Sequence, residues 1–314
     1  MAASCARPTA LLLAAAGLFT ACDRSGPSPQ AQEAGRLAQA GDYDGAVRSL
    51  REAVERDPGH ADLHYQLGVA LFDKGEVKES IRSLAESVRL DPGRTDAYLA
   101  LGNAYLKQDD RRSAFLAFNE AVLNDPNNPS ALFNLGVMHY LAGRFGEAAE
   151  LLQRAHAGRP EDAEIAFRLG MARLNAGDVE MAVLSLTKAT QLDPRHAEAW
   201  VNLSSSLATL HRLDEARAAG EKALEVKPDW SQALNNLGIV AQAQDRDGEA
   251  LSFFTRAIEA DPNDPRLHMN LGSLHEKAGR KQDAIKEYET FLRDWRGDMA
   301  AAESVRDRLE TLRR

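Results

Sequence analysis

"TDAYLALGNAYLKQDDRRSAFLAFNEAVLNDPNN", residues 95–128, decides how this chain folds. Tyr98, Leu101, Gly102 and Tyr105 fall at i, i+3, i+4 and i+7, the spacing of one helix face. After the polar interruption "KQDDRR", Ala114, Phe118 and Ala121 form the apolar stripe of a second helix. Gly102 and Ala114 carry little bulk, so the two helices are expected to approach closely and cross antiparallel. Pro126 pushes the residue before it out of helical geometry and ends the second helix.

The same arrangement recurs along the chain. Pro58, Pro92, Pro126, Pro160, Pro194, Pro228 and Pro262 follow one another at intervals of 34 residues without an insertion. Leu-Gly pairs stand at Leu67-Gly68, Leu101-Gly102, Leu135-Gly136, Leu169-Gly170, Leu237-Gly238 and Leu271-Gly272, with Leu203-Ser204 as the variant. Twelve places after each of these glycine positions comes a small residue: Ser80, Ala114, Ala148, Ala182, Ala216, Ala250 and Ala284. Units counted from residue 27 end, after eight, at residue 298. Period and pattern resemble the tetratricopeptide repeat family. The resemblance implies an all-α, right-handed superhelical solenoid of antiparallel helix pairs, each burying a face against the next. The expected organisation is a signal peptide (1–21), a lipidated cysteine and tether (22–26), the solenoid (27–298) and a closing helix (299–314).

The ends and one interior unit depart from the pattern. The first unit has Glu33-Ala34 in place of Leu-Gly, as suits a polar cap. Beyond the last unit, Asp298 is placed to cap a helix, with Val305, Leu309 and Leu312 as its apolar stripe and Arg306, Asp307, Arg308 and Glu310 toward water. The unit 197–230 has Ser204 for glycine and Gly220 where the others carry Leu, Phe or Tyr. A helical glycine costs about 0.5–1 kcal/mol relative to alanine, and the large side chain is missing. This unit is expected to open first among the interior ones.

The apolar run "LLLAAAGLFTAC", residues 11–22, is too short to span a bilayer, which takes about 20 residues. With Arg7 before it and small residues at its end it reads as a signal peptide. "LFTAC" resembles a bacterial lipoprotein signal, which implies lipidation of Cys22; Phe19 stands where that family usually has leucine. Cys5 would leave with the signal, and the mature chain would hold no disulfide. Several acyl chains give lasting membrane attachment. The expected location is the periplasmic side of a bacterial envelope membrane; secretion or a cytoplasmic location is the alternative.

Catalytic groupings are not apparent. The sequence has no P-loop, GxSxG or HExxH motif. Eight histidines are scattered over the units; His139 and His275 stand where the repeat prefers Tyr, and His60 and His64 lie around a turn. The aspartates before prolines read as turn residues. A net charge of −9 argues against nucleic acid, whose binding needs a basic face. No enzymatic activity, cofactor, metal or small-molecule substrate is expected.

Binding is assigned to the first helices. With positions 4, 7, 8 and 11 of each unit committed to packing, the opposite face carries positions 2, 6 and 13 together with positions 5, 9 and 12. Over residues 61–196 the last three positions hold Tyr65, Val69, Phe72, Leu99, Asn103, Leu106, Phe133, Val137, Tyr140, Phe167, Met171 and Leu174, all apolar but one. Such a strip marks a binding surface, although position 5 could instead pack between neighbouring first helices. In the following units the same positions turn polar. Position 6 holds Asn134, Asn202, Asn236 and Asn270, interrupted by Arg168; relatives that bind extended peptides present asparagines there. Asn103, Asn134 and Arg168 also resemble part of a carboxylate clamp, but Leu99 and Glu164 stand where that clamp needs lysine. The expected function is a lipid-anchored scaffold that binds proteins or peptides in its groove during assembly of a secretion, pilus or outer-membrane complex. The alternatives are a substrate-recognition subunit of an envelope peptidase or glycan-modifying enzyme, and a cytoplasmic adaptor.

Overall fold

The computed structural model describes residues 29–314; the expectations for the signal and Cys22 lie outside this range. The described residues form helices and turns with no strand. They divide into two compact units, 29–160 and 161–314.

The first unit holds four helix pairs: α1 (Pro29–Gln39) with α2 (Tyr43–Arg56), α3 (Ala61–Lys74) with α4 (Val77–Leu90), α5 (Thr95–Lys107) with α6 (Arg111–Asn124), and α7 (Pro129–Leu141) with α8 (Phe145–Gly158). The second holds α9 (Ala163–Asn175) with α10 (Val179–Leu192), α11 (Ala197–Thr209) with α12 (Leu213–Val226), α13 (Ser231–Ala243) with α14 (Asp247–Ala260), α15 (Pro265–Lys277) with α16 (Lys281–Asp294), and the closing α17 (Met299–Arg313). Within each unit the second helix of a pair also packs on the first helix of the next. None of the described helices is long and apolar enough to cross a membrane.

Local chemistry sets the boundaries. The first or second residue after the first helix is left-handed in every pair: Gly41, Gly75, Gly143, Gly177 and Gly279, but also Asp109, His211 and Asp245. Glycine adopts that geometry freely, whereas other residues do so at a cost. Asp42, Asp110 and Asp178 then cap the following helices by accepting a backbone N–H. Asp298 caps α17 in the same way, and Val305 and Leu309 bury against Tyr288 and Phe291.

The glycine of each Leu-Gly pair has a definite partner sixteen residues on. A Cβ on Gly68 would lie 2.5 Å from Leu84 Cγ, on Gly136 2.9 Å from Leu152 Cγ, and on Gly170 2.7 Å from Leu186 Cγ. On Gly102, Gly238 and Gly272 it would strike the rings of Phe118, Phe254 and Tyr288. These partners are among the largest fully buried side chains of the described residues, each stabilising its pair by about 1.5–3 kcal/mol. Close approach therefore depends on glycine meeting a large residue, as well as on the small residue expected from the sequence.

The unit 197–230 reverses that arrangement. Ser204 takes the glycine position and Gly220 the large one, and the Ser204 hydroxyl donates to the Ala216 carbonyl at 2.7 Å. A Cβ on Gly220 would meet Leu237 of the next pair at 2.8 Å. The space expected to be lost at Gly220 is thus filled by Leu237, itself buried.

Candidate functional site

In the 29–160 unit, α3, α5 and α7 bring the expected residues onto equivalent faces of three consecutive repeats. Position 5 is largely committed to packing. Tyr65 is only 8% exposed, lies against Ala97 and Leu101, and is covered by the Arg94 guanidinium 4.5 Å above its ring. Arg94 in turn pairs with Asp62 at 2.7 Å and Asp96 at 2.9 Å. Burial and the Asp96 charge push the Tyr65 phenol up to about 12. Leu99 and Phe133 are half-buried, Leu99 against the cluster around Phe118.

Positions 9 and 12 keep more access. Val69, Phe72, Leu106, Val137 and Tyr140 are all half-buried. Val69 and Phe72 rest on Leu84 and Ala104, Leu106 rests on Met138, and the Tyr140 ring stands edge-on to Phe145 at 5.3 Å. Leu141, at position 13, is 54% exposed and extends this apolar surface; the sequence reading put position 13 on this face without naming its leucine. Asp73 and Lys107 hold position 13 in the two preceding repeats and form no ion pair among the described residues. Partial desolvation by its surroundings pushes the Asp73 carboxyl up, although the residue is exposed.

The asparagines separate into two kinds. Asn134 is 8% exposed and Asn103 half-buried, and neither side-chain amide has a hydrogen-bond partner among the described residues. Neither amide is among the sealed, unpartnered polar groups of the described residues, so both keep contact with solvent and are open to a ligand. In the 161–314 unit the amides are engaged: Asn202 Nδ2 donates to the Glu198 carbonyl at 2.7 Å, Asn236 Nδ2 to the Val201 carbonyl at 3.2 Å, and Asn270 Nδ2 to Asn235 Oδ1 at 2.8 Å. The last two tie successive first helices together.

The apolar residues of that unit are also drawn inward. Phe167 is 8% exposed, with its ring 4.4 Å from that of His196, and Met171 packs on the cluster around Leu203 and Leu207. Leu174 is half-buried. Arg168 lies over Phe167 and pairs with Glu164 at 2.6 Å. His196 caps α11 by accepting the Ala199 N–H on Nδ1, with Nε2 3.7 Å from Glu164. Donation of a hydrogen bond to Glu164, with Glu164, Glu198 and Asp193 as nearby negative charges, raises His196 despite its burial. At the far end, the Tyr288 hydroxyl donates to Glu276 at 2.6 Å and accepts from Arg308 at 2.9 Å. The closing helix thereby reaches the position 12 side chain of the last repeat.

Matched helix pairs on a 34-residue period, with one face of the first helices presented, define a class of repeat scaffold. Models of the tetratricopeptide repeat match residues 32–95, 99–168 and 235–299, a second model matches 195–263 and a third 163–196. The chain belongs to the tetratricopeptide repeat family, and its architecture is that of a protein-interaction scaffold. No curated protein matches it.

Solved structures share the fold. The tetratricopeptide protein YrrB, described as having an unusual peptide-binding site, is 24% identical with a TM-score of 0.56, over 60% of this chain and 97% of its own. Pseudomonas aeruginosa pilF is 19% identical with a TM-score of 0.56, over 71% and 99%. The C-terminal part of a repeat protein from Cytophaga hutchinsonii is 15% identical with a TM-score of 0.60, over 76% and 98%.

Proposed function

We propose that the protein is an anchored scaffold that captures an extended segment of a partner protein on the 29–160 unit. The observation that carries this is Asn134, a residue nine-tenths buried whose amide has no partner among the described residues and still reaches solvent. Beside it lie the half-buried Val137 and the open Leu141. An extended partner backbone supplies the carbonyl and N–H groups that Asn103 and Asn134 lack, while Val69, Phe72, Leu106 and Tyr140 receive its side chains. The asparagines of the 161–314 unit hold its own helices. YrrB, with its peptide-binding site, supports a peptide-binding use of this fold. The lipoprotein-like sequence ending at Cys22 supports anchoring in a bacterial envelope, where the partner would belong to an assembly such as a secretion, pilus or outer-membrane machine.

The test is a photo-crosslinking amino acid at Val137, with Ser252 as control, combined with membrane fractionation and intact mass of wild type and Cys22→Ala. The expected result is one envelope protein crosslinked at 137 and absent at 252. The wild type should be acylated and cleaved before Cys22, and the variant released or unprocessed. Equal crosslinking at both positions would refute the groove. An unmodified full-length soluble chain would refute the anchor.

A further inference from the structure

The last turns of the first helices in the 29–160 unit hold a row of three unlike side chains. Asp73 in α3, Lys107 in α5 and Leu141 in α7 stand at position 13 of three consecutive repeats, and all three are exposed. Because α3 packs beside α5 and α5 beside α7, they form one line next to the apolar positions 9 and 12.

Neither charge in this row is answered from within the unit. The helix dipole disfavours an acid in a last turn, yet Asp73 stands one residue from the end of α3. The adjacent Lys74 does not compensate it, because its ammonium turns to Asp44 and Glu76, each at 2.7 Å. Lys107 suits the end of α5 by the same dipole, but it too has no carboxylate within ion-pair distance among the described residues. The 161–314 unit settles the same position internally: Lys277 pairs with Asp245 at 2.8 Å and Asp247 at 3.0 Å, and Asn175, Thr209 and Ala243 carry no charge. A carboxyl set against the dipole and pushed up by desolvation gains from a cation brought to it from outside.

Spacing selects the conformation of a ligand that answers all three. Packed helices lie about 8–10 Å apart, and a polyproline II chain advances about 9.3 Å per turn of three residues. Its residues i, i+3 and i+6 therefore fall on one side, one to each repeat. In a β-strand the same residues alternate between faces. A helix matches the interval with i, i+7 and i+14, but its backbone groups are bonded internally and offer nothing to Asn103 and Asn134. A polyproline II backbone has no internal hydrogen bonds, which leaves its polar groups free for those amides.

We infer that the segment captured by the 29–160 unit is a polyproline II stretch of the form cation-x-x-acid-x-x-apolar, read in either chain direction. The cation meets Asp73, the acid meets Lys107 and the apolar side chain meets Leu141. This rests on the groove proposed above and names the class of its ligand. Val69, Phe72, Leu106, Val137 and Tyr140 receive the intervening residues, including prolines, whose rings suit an aromatic-lined surface.

The test measures, by fluorescence anisotropy, the binding of labelled, end-blocked peptides to the full chain with Cys22→Ser. The matched peptides are Lys-Pro-Ala-Glu-Pro-Ala-Leu and its reverse; the swapped ones are Glu-Pro-Ala-Lys-Pro-Ala-Leu and its reverse. One matched peptide should bind at least about tenfold more tightly than either swapped one, as expected for two ion pairs turned from attraction to repulsion, and the difference should shrink in high salt. Asp73→Lys with Lys107→Asp should reverse the preference at unchanged helical content. Asn103→Ala with Asn134→Ala should weaken matched and swapped peptides alike. Equal affinity for matched and swapped peptides, or a preference that the exchanged variant fails to reverse, would overturn the inference while the groove stands if the asparagine pair still matters. Tighter binding of a helical peptide with the three residues at i, i+7 and i+14 would overturn both. Binding of none of these peptides would overturn the inference, and the groove with it unless a library-selected extended peptide binds through Asn103 and Asn134.

Discussion

Replacing Gly102 by alanine tests the packing rule that holds each helix pair together. The added methyl would lie 2.7 Å from Phe118 Cδ1, and Phe118 is completely buried, so its ring has nowhere to move. Overpacking a core costs about 1–3 kcal/mol, and this site belongs near the upper end. Removing a helical glycine returns about 1 kcal/mol, leaving a net loss of about 2 kcal/mol. Phe118→Ala alone should cost about 3–5 kcal/mol through lost burial and a cavity. In the double variant the new methyl occupies part of that cavity, so the combined loss should fall short of the sum by about 1–2 kcal/mol. Gly146→Ala, where nothing lies within 4 Å, serves as the control and should gain up to about 1 kcal/mol. Urea unfolding followed by circular dichroism gives the overall values. Because repeat arrays need not unfold in one step, amide exchange in α5 and α6 supplies the local free energies. Additivity within about 0.5 kcal/mol, or a Gly102→Ala chain as stable as wild type, would refute the reasoning.

Other substitutions probe the local chemistry. Ser204→Gly restores the residue usual in this family yet should destabilise α11 and α12 by about 2 kcal/mol, from the hydroxyl bond to Ala216 and the glycine penalty together; Trp200 and Trp230 fluorescence during unfolding would report it. Asp109→Gly should stabilise by about 0.5–1 kcal/mol in thermal unfolding, since Asp109 is left-handed with φ of 61° and its only ion pair is an open one to Arg111 at 3.5 Å. His139 and His275 are held below the ordinary histidine value by burial, with Arg144 and Arg280 adding to it. Their contribution is therefore fully present above about pH 6.5 and is lost as pH falls through the folded value. Amide exchange in α7 and α8 should accelerate in that window, and His139→Tyr should remove the acceleration.

The period, the helix faces and the cap at Asp298 were legible because each is a local pattern along one or two turns. The pairing of Gly102 with Phe118 was less so: it joins residues sixteen apart that face each other only when the hairpin closes. Gly220 shows the same limit, since Leu237, which fills its space, belongs to the following pair. The candidate site was legible as a set of faces and not as a set of free groups. Asn134 and Asn236 occupy the same repeat position, but whether the amide reaches a carbonyl depends on how the neighbouring first helix is set. Asn236 meets the Val201 carbonyl, and Asn134 meets no hydrogen-bond partner among the described residues.

The most direct measurement of the central claim is the affinity of a peptide selected from a displayed library of extended sequences for the full chain with Cys22→Ser. Asn103→Ala with Asn134→Ala should weaken it at least about tenfold, the loss of about two hydrogen bonds, without changing stability appreciably. Asn202→Ala with Asn236→Ala should lower the stability of the 161–314 unit and leave the affinity as it was. Peptide binding that survives the first pair and collapses with the second would contradict the assignment of the groove to the 29–160 unit.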